Sequence, residues 1–96
     1  MDVQRSLRTV IATGKVLIGA DQTAKAVTAG KAKMVILASN APQGDAIRAA
    51  AQKARVPLFA FEGGGMQLGP ACGKPFAISA LAVLEAGESD VLQLAK

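Results

Sequence analysis

Apolar residues fall into two kinds of pattern along this chain. Unbroken apolar runs stand at Val16-Leu17-Ile18, Met34-Val35-Ile36-Leu37-Ala38 and Leu58-Phe59-Ala60-Phe61, with a fourth, nearly unbroken, over Ile78 to Leu84. Each predicts a strand, and the run Met34 to Ala38, with no polar alternation, predicts one covered on both faces. Elsewhere apolar residues recur three or four positions apart, at Val3, Leu7, Val10 and Ile11, at Ala20, Ala24 and Val27, and at Ile47, Ala50, Ala51 and Ala54. That spacing predicts the inner faces of three helices. Asp2 can cap the first, which Gly14 ends; Asp21 to Ala29 is the second, stopped by Gly30; Asp45 can cap the third, which runs to about Arg55 before Pro57. A short helix is expected within Met66 to Gly73, and a closing one after Gly87, with Val91, Leu92 and Leu94 as its apolar side. Alternating helices and strands of this length predict an α/β fold, a three-layer α/β/α sandwich around a four-stranded mixed sheet. No repeat or linker interrupts residues 1–96, so one domain is expected.

Charge adds a direction to this scaffold. Residues 1–60 carry nine Lys or Arg against three Asp, a net of 9 − 3 = +6, whereas residues 61–96 carry two Lys against four acids, a net of 2 − 4 = −2. A basic first part suits a polyanionic partner on one side; a solvated surface that keeps a small protein soluble is the plain alternative. No apolar run approaches the ~20 residues of a membrane span, so no membrane role is expected. The single cysteine, Cys72, cannot form an internal disulfide, and a reducing cytoplasm is the natural setting.

Several chemistries have no support. The chain has no histidine, which removes the commonest general base and most zinc sites. Cys72 without a histidine reads as a small packed hydrophobe. The stretch Gly69-Pro70-Ala71-Cys72-Gly73-Lys74-Pro75 has one residue too few between its glycines for a phosphate-binding P-loop, and proline where serine or threonine is needed. A dinucleotide fingerprint counted from Gly63 and Gly65 would need glycine where Leu68 stands. No catalytic residue, metal ligand or cofactor is assigned, and the chain is not expected to be an enzyme.

What remains is a set of loops. The stretch Val16 to Lys25 reads as a strand that stops at Gly19 and turns straight into a helix. The first turn of a helix presents unpaired N–H groups and a positive partial charge, a natural phosphate site. The loop Ser39 to Gln43 follows the second strand, and loops at the carboxyl ends of strands tend to form the binding edge of such a fold. The Gly73 to Phe76 loop joins them if the fourth strand runs antiparallel to the others. Together they would offer Lys25 and Lys74 for phosphates, Gln22 and Asn40 for base edges and Phe76 for base stacking. Each has an ordinary alternative: a solvated helix residue for Lys25, a turn former for Asn40, a core residue opening the last strand for Phe76.

The motifs Ile18-Gly19-Ala20-Asp21-Gln22-Thr23-Ala24-Lys25 and Ala38-Ser39-Asn40-Ala41-Pro42 resemble those of the kink-turn RNA-binding family of ribosomal and ribonucleoprotein components. The stretch from Phe61 to Phe76, followed by Glu85-Ala86-Gly87-Glu88-Ser89-Asp90, is similar to the large-subunit ribosomal protein family numbered thirty of archaea and eukaryotes. The resemblance implies a structural protein that grips a kinked ribosomal RNA loop, beside other large-subunit proteins, as a monomer when free and from an archaeal source. It implies contacts from Gly19, Gln22, Lys25, Asn40, Gly73, Lys74 and Phe76. Asp21 also falls on this edge, where relatives carry Asn, Lys or Arg, and it would serve as a helix cap or accept from a base amino group. Gly65 stands where some relatives have asparagine. A non-ribosomal member of the same family, acting in RNA modification or regulation, and a small nucleotide-binding domain remain the alternatives.

Overall fold

A computed structural model describes residues 3–41 and 43–87. Helices α1 (Val3–Thr13), α2 (Ala20–Thr28), α3 (Gly44–Ala54) and α4 (Gly65–Ala71) alternate with strands β1 (Lys15–Ile18), β2 (Met34–Leu37), β3 (Leu58–Ala60) and β4 (Ala80–Glu85). The capping role expected of Asp2 and the closing helix expected beyond Gly87 lie outside the described residues. The sheet order is β1-β4-β2-β3. Strands β2 and β3 are parallel, while β4 runs antiparallel to both β1 and β2, so the sheet is mixed, as expected.

The apolar runs work as the pleat requires. Successive side chains of a strand point to opposite faces. In β2 and β4, Met34, Ile36, Leu81 and Val83 enter one core with Leu7 and Val10 of α1 and Leu68 of α4. Their neighbours Val35, Leu37, Ala80 and Ala82 enter a second core with Ala26 and Val27 of α2 and Ile47 and Ala51 of α3. The helices thus cover the sheet in two pairs, giving the three layers. Fully burying one such Leu or Ile contributes roughly 1.5–3 kcal/mol.

Four local expectations are corrected. On α2 the fully inward residues are Thr23, Ala26 and Val27, with Ala20 and Ala24 only partly covered. Ala54 is exposed, because α3 ends there and its buried stripe stops at Ala51. Asp45 does not cap α3; the cap position is Gln43, in the left-handed region at φ 62°, with no side-chain cap. β4 begins at Ala80 rather than Ile78, because the Ile78 N–H donates to the Gly65 carbonyl at 3.0 Å and so belongs to the packing of α4.

Three helices end alike. The N–H of a left-handed residue and that of its successor close back on the last turn, a Schellman motif. For α2 the pairs are Gly30 to the Val27 carbonyl and Lys31 to that of Ala26, at 3.1 and 3.0 Å. For α4 they are Gly73 to Pro70 and Lys74 to Gly69, at 2.9 and 3.0 Å. For α3 the left-handed residue is Arg55, at φ 60°. Gly73 therefore has a structural reason to be glycine: its φ of +81° ends α4 and sends the chain toward Phe76.

Candidate nucleic-acid interface

The antiparallel course of β4 decides where the loops meet. Its first residues lie beside the last residues of β1 and β2, with Leu81 opposite Ile18 and Ala80 opposite Leu37. The Gly19 N–H donates to the Ala80 carbonyl and the Ala38 N–H to that of Ser79, both at 2.8 Å. The Ser39 N–H donates to the Gly63 carbonyl, also at 2.8 Å. The turn after β1, the loop after β2 and the turn after β3 thus share one end of the sheet with the entry to β4.

On the α2 side of this end, Gly19 has φ 113° and ψ 151°, a conformation for glycine alone, with open space where a Cβ would stand. No side chain caps the helix, so the N–H groups of Ala20, Asp21 and Gln22 have no intrahelical acceptor. Asp21, Gln22 and Lys25 are exposed, and Lys25 lies three and four residues beyond the other two, on the same helix surface. Asp21 is not the cap of α2, since Gly19 holds that position. Its Oδ1 instead accepts a 2.8 Å hydrogen bond from Gln43 Nε2, joining the starts of α2 and α3. Sequence reasoning missed Gln43; its place beside a turn-forming proline was the available signal.

On the α4 side the polar groups are tied into the fold. Asn40 Oδ1 accepts from the Gly65 N–H at 2.9 Å and so caps α4 from another loop. Gln67 Oε1 accepts from the Gly64 N–H at 2.9 Å. Gly73 and Lys74 lie at the other end of α4, about 10 Å of helix away from Gly65. The neighbour of Gly73 is the Arg8 side chain of α1, 3.7 Å from where a Cβ would be. Arg8 adds a cation that reading the loops alone overlooked. Phe76 is 51% exposed, which removes the alternative of a core residue opening β4. The structure therefore gathers Gly19, Asp21, Gln22 and Asn40 at one end of the sheet, with Lys25 along α2 and Gly73, Lys74 and Phe76 along α4 as flanks.

Cys72 belongs to the core and not to a reactive site. It is buried among Leu68, Ala71 and Ile78. Burial pushes its thiol up to about 11, against a smaller opposing pull from the Lys74 charge, so the thiolate is disfavoured. Among the described residues no group of three His, Cys, Asp or Glu side chains could hold a metal ion. Among them, too, no helix is long and apolar enough to cross a membrane.

The fold, the glycine turn into α2 and the loop end define a class that sequence comparison makes explicit. The chain belongs to the ribosomal protein L7Ae/L30e/S12e/Gadd45 family, whose sequence pattern it matches over residues 1–93. It is 50% identical over 92 residues to the large ribosomal subunit protein eL30 of Methanosarcina mazei, covering 96% of this chain and 87% of that one. The eL30 protein of Methanospirillum hungatei is 45% identical over 96 residues, 100% of both chains. That of Pyrobaculum neutrophilum is 47% identical over 97 residues, 98% of this chain and 95% of its own.

Proposed function

We propose that this chain is a structural, non-catalytic protein of the large ribosomal subunit and binds a kinked internal loop of ribosomal RNA. The observation that supports this most is the uncapped start of α2 at Gly19, set beside the Asn40 loop and followed along its outer surface by Lys25. Free N–H groups and a lysine on one line suit consecutive phosphates. The amides of Gln22 and Asn40 and the ring of Phe76 suit unpaired bases, which a kinked loop exposes and a regular duplex hides. The kinship with eL30 proteins agrees with a place in the subunit.

A filter-binding titration on a kinked internal-loop RNA, repeated across salt concentrations, tests the reading. Log affinity should fall linearly with log salt, and Lys25→Ala should weaken binding and flatten the slope by about one unit. Binding a perfect RNA duplex as tightly as the kinked loop would defeat the proposal. So would an affinity that ignores both salt and Lys25.

A further inference from the structure

We infer that the far end of the α2–α3 layer, opposite the loop end, is a second RNA surface that takes the backbone of a regular duplex, so that the chain bridges two RNA segments. The choice of RNA as the polyanion rests on the ribosomal reading above; the surface itself does not depend on the kinked-loop site. Five of the nine Lys and Arg in residues 1–60 stand where α2 and α3 end and β1 and β2 begin: Lys15, Lys31, Lys33, Lys53 and Arg55. All five are exposed. The segments that carry Lys33 and Arg55 are neighbours, since β2 and β3 are parallel and the Val35 N–H donates to the Pro57 carbonyl at 2.9 Å. The described carboxylates are distributed the other way. Asp21 and Asp45 stand at the starts of α2 and α3, and Glu62 follows β3, all at the loop end. Glu85 faces Lys15 at 4.0 Å. Among the described residues the other four cations have no carboxylate partner. The basic bias of the chain thus gathers away from the end that the kinked loop would use.

A plainer role for these cations is to offset the negative ends of two helix dipoles. Those ends supply about one negative charge between them, against four unpaired cations. Arg55 argues further. It holds φ 60° at the position where the same end motif has glycine in α2 and α4, Gly30 at +74° and Gly73 at +81°. A side chain is disfavoured there, so a guanidinium is kept where glycine would fold better. The surface offers phosphate contacts rather than base contacts. Among the described residues no aromatic ring stands in solvent here, since the exposed one, Phe76, is on the α4 side. A groove of about 460 Å³ runs between the helix ends, lined by Val27, Thr28, Ala50, Lys53 and Ala54. Its hydroxyl, on Thr28, already donates to the Ala24 carbonyl at 2.9 Å. Cations without a stacking ring suit the backbone of a duplex, whose bases are hidden. A protein partner is the weaker occupant, because lysine is depleted in the cores of protein interfaces. The nine residues of α2 span about 13 Å, more than the ~8 Å screening length at physiological salt, so the two ends act as separate sites.

The test adds a short fluorescent RNA duplex to the full chain, free or saturated with a short-stemmed kinked internal-loop RNA, and follows anisotropy across salt concentrations. The duplex should bind in both cases, at micromolar strength and well below the kinked loop, with a log–log salt slope of about −3 to −4. The triple variant Lys31→Gln, Lys53→Gln, Arg55→Gly should weaken duplex binding about tenfold and flatten the slope by about three units, with kinked-loop affinity unchanged. Arg55→Gly alone should weaken duplex binding without lowering the melting temperature, because glycine suits that backbone. Lys25→Ala should do the reverse of the triple variant, weakening the kinked loop and sparing the duplex. Equal duplex binding by wild type and triple variant overturns the inference, as does a duplex that the kinked RNA displaces. A triple variant that melts lower yet binds the duplex normally also overturns it and assigns the cations to the helix ends. Poly-glutamate that displaces the duplex at equal charge concentration overturns RNA as the occupant and makes the surface a protein contact. If the kinked RNA fails to bind while duplex binding still depends on these cations, the kinked-loop reading falls alone and this surface stands.

Discussion

The two faces of the sheet are filled by different means. Toward α1 and α4 the core is built from large side chains, among them Leu7, Met34, Ile36, Leu68, Ile78 and Leu81. Toward α2 and α3 it is mostly small, with Ala26, Ala32, Ala51, Ala80 and Ala82 around Val27, Val35, Leu37 and Ile47. Small residues let two helices lie close to a sheet and to each other. The starts of α2 and α3 come near enough for Gln43 to reach Asp21. The difference carries over to the loop end. The α2 side presents free backbone donors and charge, while on the α4 side Asn40 Oδ1 and Gln67 Oε1 are tied up and Met66 and Phe76 add exposed apolar surface beside Lys74.

Substitutions should fail in opposite ways on the two faces. The largest effect is expected from Leu81→Ala on the large-residue face, a loss of about 3 kcal/mol in urea unfolding. On the other face, Ala82→Leu should cost about 2 kcal/mol by overpacking, and a neutral result would show that face to be loosely packed. Thr23, fully buried on α2, has an Oγ1 with no hydrogen-bond partner, so Thr23→Val should raise stability by about 1 kcal/mol in the same assay.

The last effect is confined to alkaline pH. The Cys72 thiol ionises near 9 in the unfolded chain and near 11 in the fold. Between those values the unfolded state has lost a proton that the folded state keeps, so stability present below pH 9 is lost as pH rises toward 11. Cys72→Ala should flatten that alkaline limb in unfolding curves measured from pH 8 to 11.

Much of this was legible in the chain. The run at Met34 to Ala38 announced a doubly covered strand, because a strand buried on both faces leaves no polar alternation. The turn at Gly19 was legible because a strand, a glycine and a helix start stood in direct succession. The cap of α3 was not, since an acid near a helix start and a glutamine in the left-handed region compete for the same place. Asn40 read as a base-edge contact or a turn former, and that it caps α4 across 25 residues is a fact of space alone. Gly69 read as part of a weak helix, yet its role is to admit the Phe76 carbonyl.

By itself the sequence determined the elements described over residues 3–87, their order and the glycine turn from β1 into α2, because hydrophobic period, glycine and proline act over a few residues. Only the tertiary structure decided which loops meet. That choice turned on the direction of β4, and strand direction is set by pairing between residues as distant as Ile18 and Leu81. It also decided that Phe76 faces solvent while Cys72, four residues earlier, is buried, because α4 and its return segment pack with one side against the sheet.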